Sequence, residues 1–271
     1  MLKITVLSRR QWLTRLATGI ASLPLLEGRA SWARARRPAA ATPAGSPDLT
    51  PLRGCCLRDQ RVSRELLAQS RLGPPGGGQG EESSGDARFD RALGMLLADL
   101  AGRFQVRPGF GLYNDGTTPN ALALEESQLP NSRGTVLFGR QMLRHGLRDA
   151  HGDMFVMGIC AHEFGHIVQF LSTYHTRLTR GHATSKLVEL HADFLSGYYI
   201  GLRGVQYTSQ ELVTLGRSWA TLGDSAYTNQ QHHGTAEERL QAIEAGFTFA
   251  RERPAFGIKE ACEVGARYLR A

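Results

Sequence analysis

The chain has 271 residues, 41% hydrophobic and 21% charged, an ordinary globular composition with room for one large domain or two small ones. Its net charge of +7 suggests an acidic partner, but residues 1–35 hold Lys3, Arg9, Arg10, Arg15, Arg29 and Arg34 against Glu27 alone, a net +5. The remainder carries only +2 of the +7, which leaves nucleic acid without support as a partner.

The N-terminus reads Ser8-Arg9-Arg10-Gln11-Trp12-Leu13, followed by an apolar stretch from Leu16 to Leu26 and by Ala33-Arg34-Ala35. Paired arginines, an apolar stretch and a small-residue site, in that order, predict a twin-arginine (Tat) export signal over residues 1–35. Cleavage is expected near Ala33 or Ala35, after engagement with the Tat machinery, giving a periplasmic or secreted protein. The eleven residues from Leu16 to Leu26 are too few to span a bilayer, and no later segment offers 18 uncharged apolar residues. Stable membrane insertion after processing is therefore not expected.

Residues 36–87 read as a flexible tether and linker. Residues 36–50 are rich in Ala, Pro and Ser, 57–72 predict a short amphipathic helix carrying Val62, Leu66 and Leu67, and the glycines and prolines from Gly73 to Gly85 break regular structure. The compact domain is expected over 88–271. Leu93, Leu96, Leu97 and Leu100 give a helical period between Phe89 and Phe104. Phe110–Tyr113, Asn120–Ala123 and Gly134–Phe138 read as strands of a small sheet, with a turn at Asn114-Asp115-Gly116. Asn120–Ala123 is the candidate edge for an extended peptide. Gln141–Leu147 reads as a short helix.

The apolar run from Met154 to Leu171 contains His162-Glu163-Phe164-Gly165-His166. On a helix, His162 and His166 stand at i and i+4, neighbours on one face that can grip one zinc ion. Glu163 is not spaced to join them, but it can hold a metal-bound water and take its proton. An extended motif with a third histidine is excluded, because Gln169 and Ser172 occupy the relevant positions. The next helix, Ser185–Gly201, carries Glu189, His191 and Asp193. Glu189 and Asp193 share a face and His191 points roughly the opposite way, so one helix cannot present both Glu189 and His191 to one metal. With Glu189 as third ligand, Asp193 is free to accept the ring N–H of a metal-binding histidine.

Thr208 to Leu222 predicts another helix. Thr235 and Glu238 make a capping box opening a helix that runs to about Arg251, and Lys259–Leu269 reads as a closing amphipathic helix. His233 precedes the capping box. It can donate to the oxyanion of a tetrahedral intermediate, or be a surface turn histidine. Of the four cysteines, Cys160 lies about 200° round the helix from His162 and reads as a buried hydrophobe, while Cys55 or Cys56 can pair with Cys262 in an exported protein.

His162 to Gln169, then Glu189-Leu190-His191-Ala192-Asp193, then His233-Gly234-Thr235 with Arg239 resemble the bacterial neutral zinc metallopeptidases. More distantly they are similar to the cores of CAAX-prenyl-protease-type peptidases, both being gluzincins. The resemblance covers roughly residues 88–250. It implies an α+β, helix-rich zincin-type fold with a small sheet beside the metal helix. It also implies zinc on His162, His166 and Glu189, Glu163 as general base, Asp193 behind a ligand, and His233 with Arg239 on the substrate side of the cleft. Asn120-Ala121-Leu122-Ala123 matches the Asn-Ala-x-Ala strand of such families. His191 departs from their usual Gln, and the transmembrane helices of CAAX-type relatives have no counterpart here. The expectation is an exported zinc endopeptidase acting on a peptide or protein. The alternatives are a non-catalytic, zinc-stabilised periplasmic binding or scaffold protein, or a zinc amidase acting on cell-wall peptides.

Overall fold

The structure, a computed structural model, describes residues 56–57, 71–73, 87–115, 119–127, 129–148, 152–182, 184–203 and 233–269. In chain order the elements are β1 (Cys56–Leu57), β2 (Arg71–Gly73), α1 (Ala87–Phe104), β3 (Gly109–Tyr113), β4 (Ala121–Leu124) and β5 (Thr135–Gly139). Then follow α2 (Arg140–Gly146), α3 (Gly152–Phe170), α4 (Tyr174–Thr179), α5 (Lys186–Leu202), α6 (Ala236–Glu252) and α7 (Ile258–Tyr268). The class is α+β, as expected. The export signal and the helix expected at Thr208 to Leu222 lie outside the described residues.

Three strands form the body of the sheet. β5 is central, parallel to β3 on one side and antiparallel to β4 on the other. Every residue of β5 is buried, which explains why Thr135–Gly139 reads as a continuous apolar run and not as an alternation. Asp115 fixes how the strands meet the next helix. Its carboxylate accepts from Gln141 N at 2.7 Å and Met142 N at 3.0 Å, capping α2, and from Asn120 N at 3.2 Å ahead of β4.

Two expectations need correction. The helix expected over 57–72 does not reach those ends, because Leu57 lies in β1 and Arg71 and Leu72 lie in β2, and both strands extend the sheet into the segment read as a linker. Val62, Leu66 and Leu67 lie outside the described residues. Nor is Asn120–Ala123 a free edge throughout, since it is covered at its C-terminal end. Its strand, β4, pairs in parallel with β1, Cys56 opposite Ala123 and Leu57 opposite Leu124. At Ala123 and Leu124 the chain covers with its own backbone an edge that would otherwise stand open.

α3 is buried along its length, except that Val168 and Phe170 are half-exposed. A helix apolar on all sides belongs inside the core, and here it packs on α1, β4, β5 and α5. Its buried polar residues, Asp153, His162, Glu163, His166 and Gln169, therefore need partners inside the protein. Among the described residues no helix is long and apolar enough to cross a membrane.

α5 and α6 touch backbone to backbone. A Cβ on Gly197 would stand 1.9 Å from the Ile243 carbonyl oxygen, and one on Gly246 1.9 Å from that of Phe194. Gly197 continues the i, i+4 row of Glu189 and Asp193, so this contact sets where those two acids stand. Gly197→Val should push the helices apart and cost about 3 kcal/mol or more, overpacking against backbone having nowhere to relax. The denaturant midpoint of the full chain, compared with wild type, measures it.

Candidate metal centre

His162 and His166 follow one another by one turn of α3, and Glu189 reaches them from the first turn of α5. All three are buried. His162 Nε2 and His166 Nε2 are 3.0 Å apart, and Glu189 Oε2 lies 3.3 Å from the first and 3.6 Å from the second. These three residues offer donor atoms close enough to hold one metal ion, the only such group among the described residues.

The opposite side of each ring decides which nitrogen faces inward. His162 Nδ1 lies 2.8 Å from Asp193 Oδ1, a carboxylate that only accepts, so Nδ1 carries hydrogen. His166 Nδ1 lies 2.8 Å from Gln169 Oε1. The amide orientation follows from the other end of that side chain, whose Nε2 donates to the Val188 carbonyl at 2.8 Å. His166 Nδ1 therefore donates as well. Neutral rings held in this way turn Nε2 lone pairs toward each other and toward a carboxylate oxygen, an arrangement that calls for positive charge between them.

The electrostatics express the same demand. Burial disfavours a charged ring at His162, yet Asp193, by its charge and its hydrogen bond, pushes that ring up to about 9. Burial also works against the Glu189 carboxylate, but the charge of His166 and hydrogen bonding with both histidines hold it well below the usual carboxylate range. Protons or a metal cation can supply the charge.

Asp193 is itself anchored from behind. Arg239 donates to it twice, Nε to Oδ2 at 2.8 Å and Nη2 to Oδ1 at 2.9 Å, with both residues buried. Burial would raise the Asp193 carboxyl; the guanidinium and His162 together keep it below its ordinary range. Arg239 thus stands behind Asp193, which in turn holds His162. Arg239→Met should cost about 3–5 kcal/mol, since it strands a buried carboxylate. Arg239→Met with Asp193→Leu should recover much of that loss in urea unfolding of the metal-free protein.

Glu163 is buried on the same helix, and its Oε2 has no hydrogen-bond partner among the described residues. Burial is the main force pushing its carboxyl up, to about 8; Glu189 adds to this and His162 opposes it. A carboxylate with a free oxygen and an affinity for protons near neutrality suits general acid–base work. His233 is buried too, near enough for its charge to act on Glu189. Gly234 beside it takes φ +91°, a turn that glycine makes without strain, and the expected capping box follows: Glu238 N donates to Thr235 Oγ1 at 3.2 Å and Thr235 N to Glu238 Oε2 at 2.9 Å. Lys186, at the start of α5, pairs with Glu238 and ties the two helix N-termini together.

No protein-family model matches the chain, and neither a curated protein nor a solved structure shows significant similarity to it.

Gln169 is the site residue that the reading of the sequence passed over. A glutamine three residues after His166, inside a run otherwise apolar, is the signal that was there: a buried amide must find partners. His191 is outside the donor group, its ring nitrogens lying against Gln169 and the Cys262 carbonyl. Cys160 and Cys262 are both buried free thiols, so Cys262 is not half of the disulfide considered with Cys55 or Cys56. Burial raises both thiols, Cys262 up to about 12, which makes them unreactive.

Proposed function

We propose that this chain is an exported zinc endopeptidase of the gluzincin kind, built on a helix-rich zincin-type fold. The observation that carries the reading is Glu163, a buried carboxylate with an oxygen that lacks a hydrogen-bond partner among the described residues, beside a group whose three described donors can hold a metal. Zinc is favoured by the donor set, two imidazoles and a carboxylate, and by the donor separations of 3.0, 3.3 and 3.6 Å. A tetrahedron with bonds of about 2.0–2.1 Å has edges of about 3.3–3.4 Å. Three protein donors in such a set leave a position for substrate or water.

Zinc held there would supply Lewis acidity to the scissile carbonyl and to the attacking water. Glu163 takes the proton of that water and returns it to the leaving amine. His233 donates a hydrogen bond to the carbonyl oxygen as negative charge builds on it. Asp193 and Gln169 keep the two histidines in the tautomer that binds metal, and Arg239 keeps Asp193 ionised and in place. The twin-arginine signal read at residues 1–35 puts this activity in the periplasm or beyond it.

One observation favours a second reading, the zinc-stabilised binding or scaffold protein: the three ligating residues are all buried, as in structural metal sites. Against it, a structural site fills its fourth position with a side chain and has no need of Glu163. Hydrolysis of a casein-like unfolded protein by the purified full chain separates the two. Cleavage should stop on treatment with a strong chelator and return with one equivalent of zinc. A chain that holds zinc and cleaves no unfolded substrate supports the scaffold.

A further inference from the structure

Beyond Gln169, the hydrogen bonds do not stop. The Gln169 Nε2 that donates to Val188 also lies 3.0 Å from His191 Nδ1, and His191 Nε2 lies 2.9 Å from the Cys262 carbonyl oxygen. That carbonyl only accepts, so His191 carries its hydrogen on Nε2 and receives the amide proton of Gln169 at Nδ1. All donations therefore run one way, from His166 on α3 through Gln169 to His191 on α5, and on to Cys262 on α7. His166, Gln169 and His191 are each fully buried. The Tyr174 ring stacks on His191, centroids 5.4 Å apart, and its hydroxyl donates to Glu263 Oε2 at 2.9 Å, so α4 and α7 clamp the His191 ring between them.

We propose that Gln169 and His191 are positioning residues for the metal centre: together they lock His166 in the Nδ1–H tautomer that presents Nε2 to the ion, and through them α7 helps hold the site in shape. The proposal rests on the reading of His162, His166 and Glu189 as a metal site, and it assigns Gln169 and His191 a task that neither performs by touching the ion. Each link is the sole arrangement consistent with its ends. Rotating the Gln169 amide would set its oxygen against the Val188 carbonyl and its nitrogen against the His166 N–H. Moving the His191 proton to Nδ1 would set two donors against each other and leave the Cys262 carbonyl facing a lone pair. A buried network with every member satisfied specifies one geometry, and losing a member affects the rest.

The test is zinc affinity of the full chain, by competition with a chromophoric chelator, together with ¹⁵N shifts of the histidine rings in the metal-free protein. Gln169→Leu should weaken zinc binding about 10–100-fold, the usual effect of removing a direct partner of a ligating histidine. His191→Leu should weaken it by up to about tenfold. His191→Gln, which keeps an acceptor and a donor on one carbon, should restore most of the affinity. In the wild type His166 should be protonated at Nδ1; in Gln169→Leu it should become a mixture of tautomers. Folded Leu variants that bind zinc as wild type does overturn the proposal. So does an Nε2-protonated His166 in the metal-free wild type, a result that needs no variant to fold. A wild type that binds no zinc overturns the metal reading instead, while its ring shifts still report on the relay.

Discussion

Glu163→Gln should bind one zinc as tightly as wild type and cleave peptides at least about 10²–10⁴-fold more slowly, because an amide cannot accept the proton of the attacking water. Stability should not suffer. In the metal-free protein the folded state holds a proton on Glu163 up to about 8, whereas an unfolded glutamate releases it near its ordinary value of 4.5. Between those two values the folded state binds more protons than the unfolded one, so the contribution of Glu163 to stability declines as pH rises through that window. Removing the carboxyl removes the decline. Metal-free Glu163→Gln should therefore gain on wild type in urea unfolding between pH 5 and pH 8. The same rate for both proteins, on samples of equal zinc content, would exclude Glu163 as the base.

Glu189→Ala should lose zinc altogether under conditions where wild type binds one equivalent. Two imidazoles remain, but the charge that offsets the ion is gone, along with one of the three donors found among the described residues. Stability follows by mass action. Zinc present at about a thousand times its dissociation constant stabilises the folded chain by about 4 kcal/mol, and Glu189→Ala forfeits that increment. The melting temperature of wild type should rise with added zinc, while that of Glu189→Ala should not move. A zinc-dependent melting temperature in Glu189→Ala would remove it from the ligand set. The contrast with Glu163→Gln matters, since one variant should silence the chemistry and the other should empty the site.

What the sequence revealed, and what it hid, follows from range. His162 and His166, and Glu189 and Asp193, are separated by one helical turn, so their spacing already implies which side chains share a face. The capping box at Thr235 and Glu238 is local in the same sense. The partners across elements were harder to see. Asp193 was expected to receive a histidine, but nothing local says that Arg239, 46 residues on, grips it from behind. Asp115 caps a helix more than twenty residues away, and looked like part of a turn. Gln169 and His191 meet only because α3 and α5 cross, and the crossing depends on contacts among Gly165, Ala192 and Leu195. The pairing of β1 with β4 was illegible for another reason. A two-residue strand next to a Pro- and Ala-rich segment shows no alternation to read.

Zinc K-edge X-ray absorption on the full chain, loaded with one equivalent of zinc, tests the centre most directly. The expected spectrum is that of a four-coordinate ion with only nitrogen and oxygen neighbours at about 2.0–2.2 Å, two of them imidazole, and it should vanish in Glu189→Ala. A sulfur shell at about 2.3 Å, or an unchanged spectrum in Glu189→Ala, would contradict a site made of His162, His166 and Glu189.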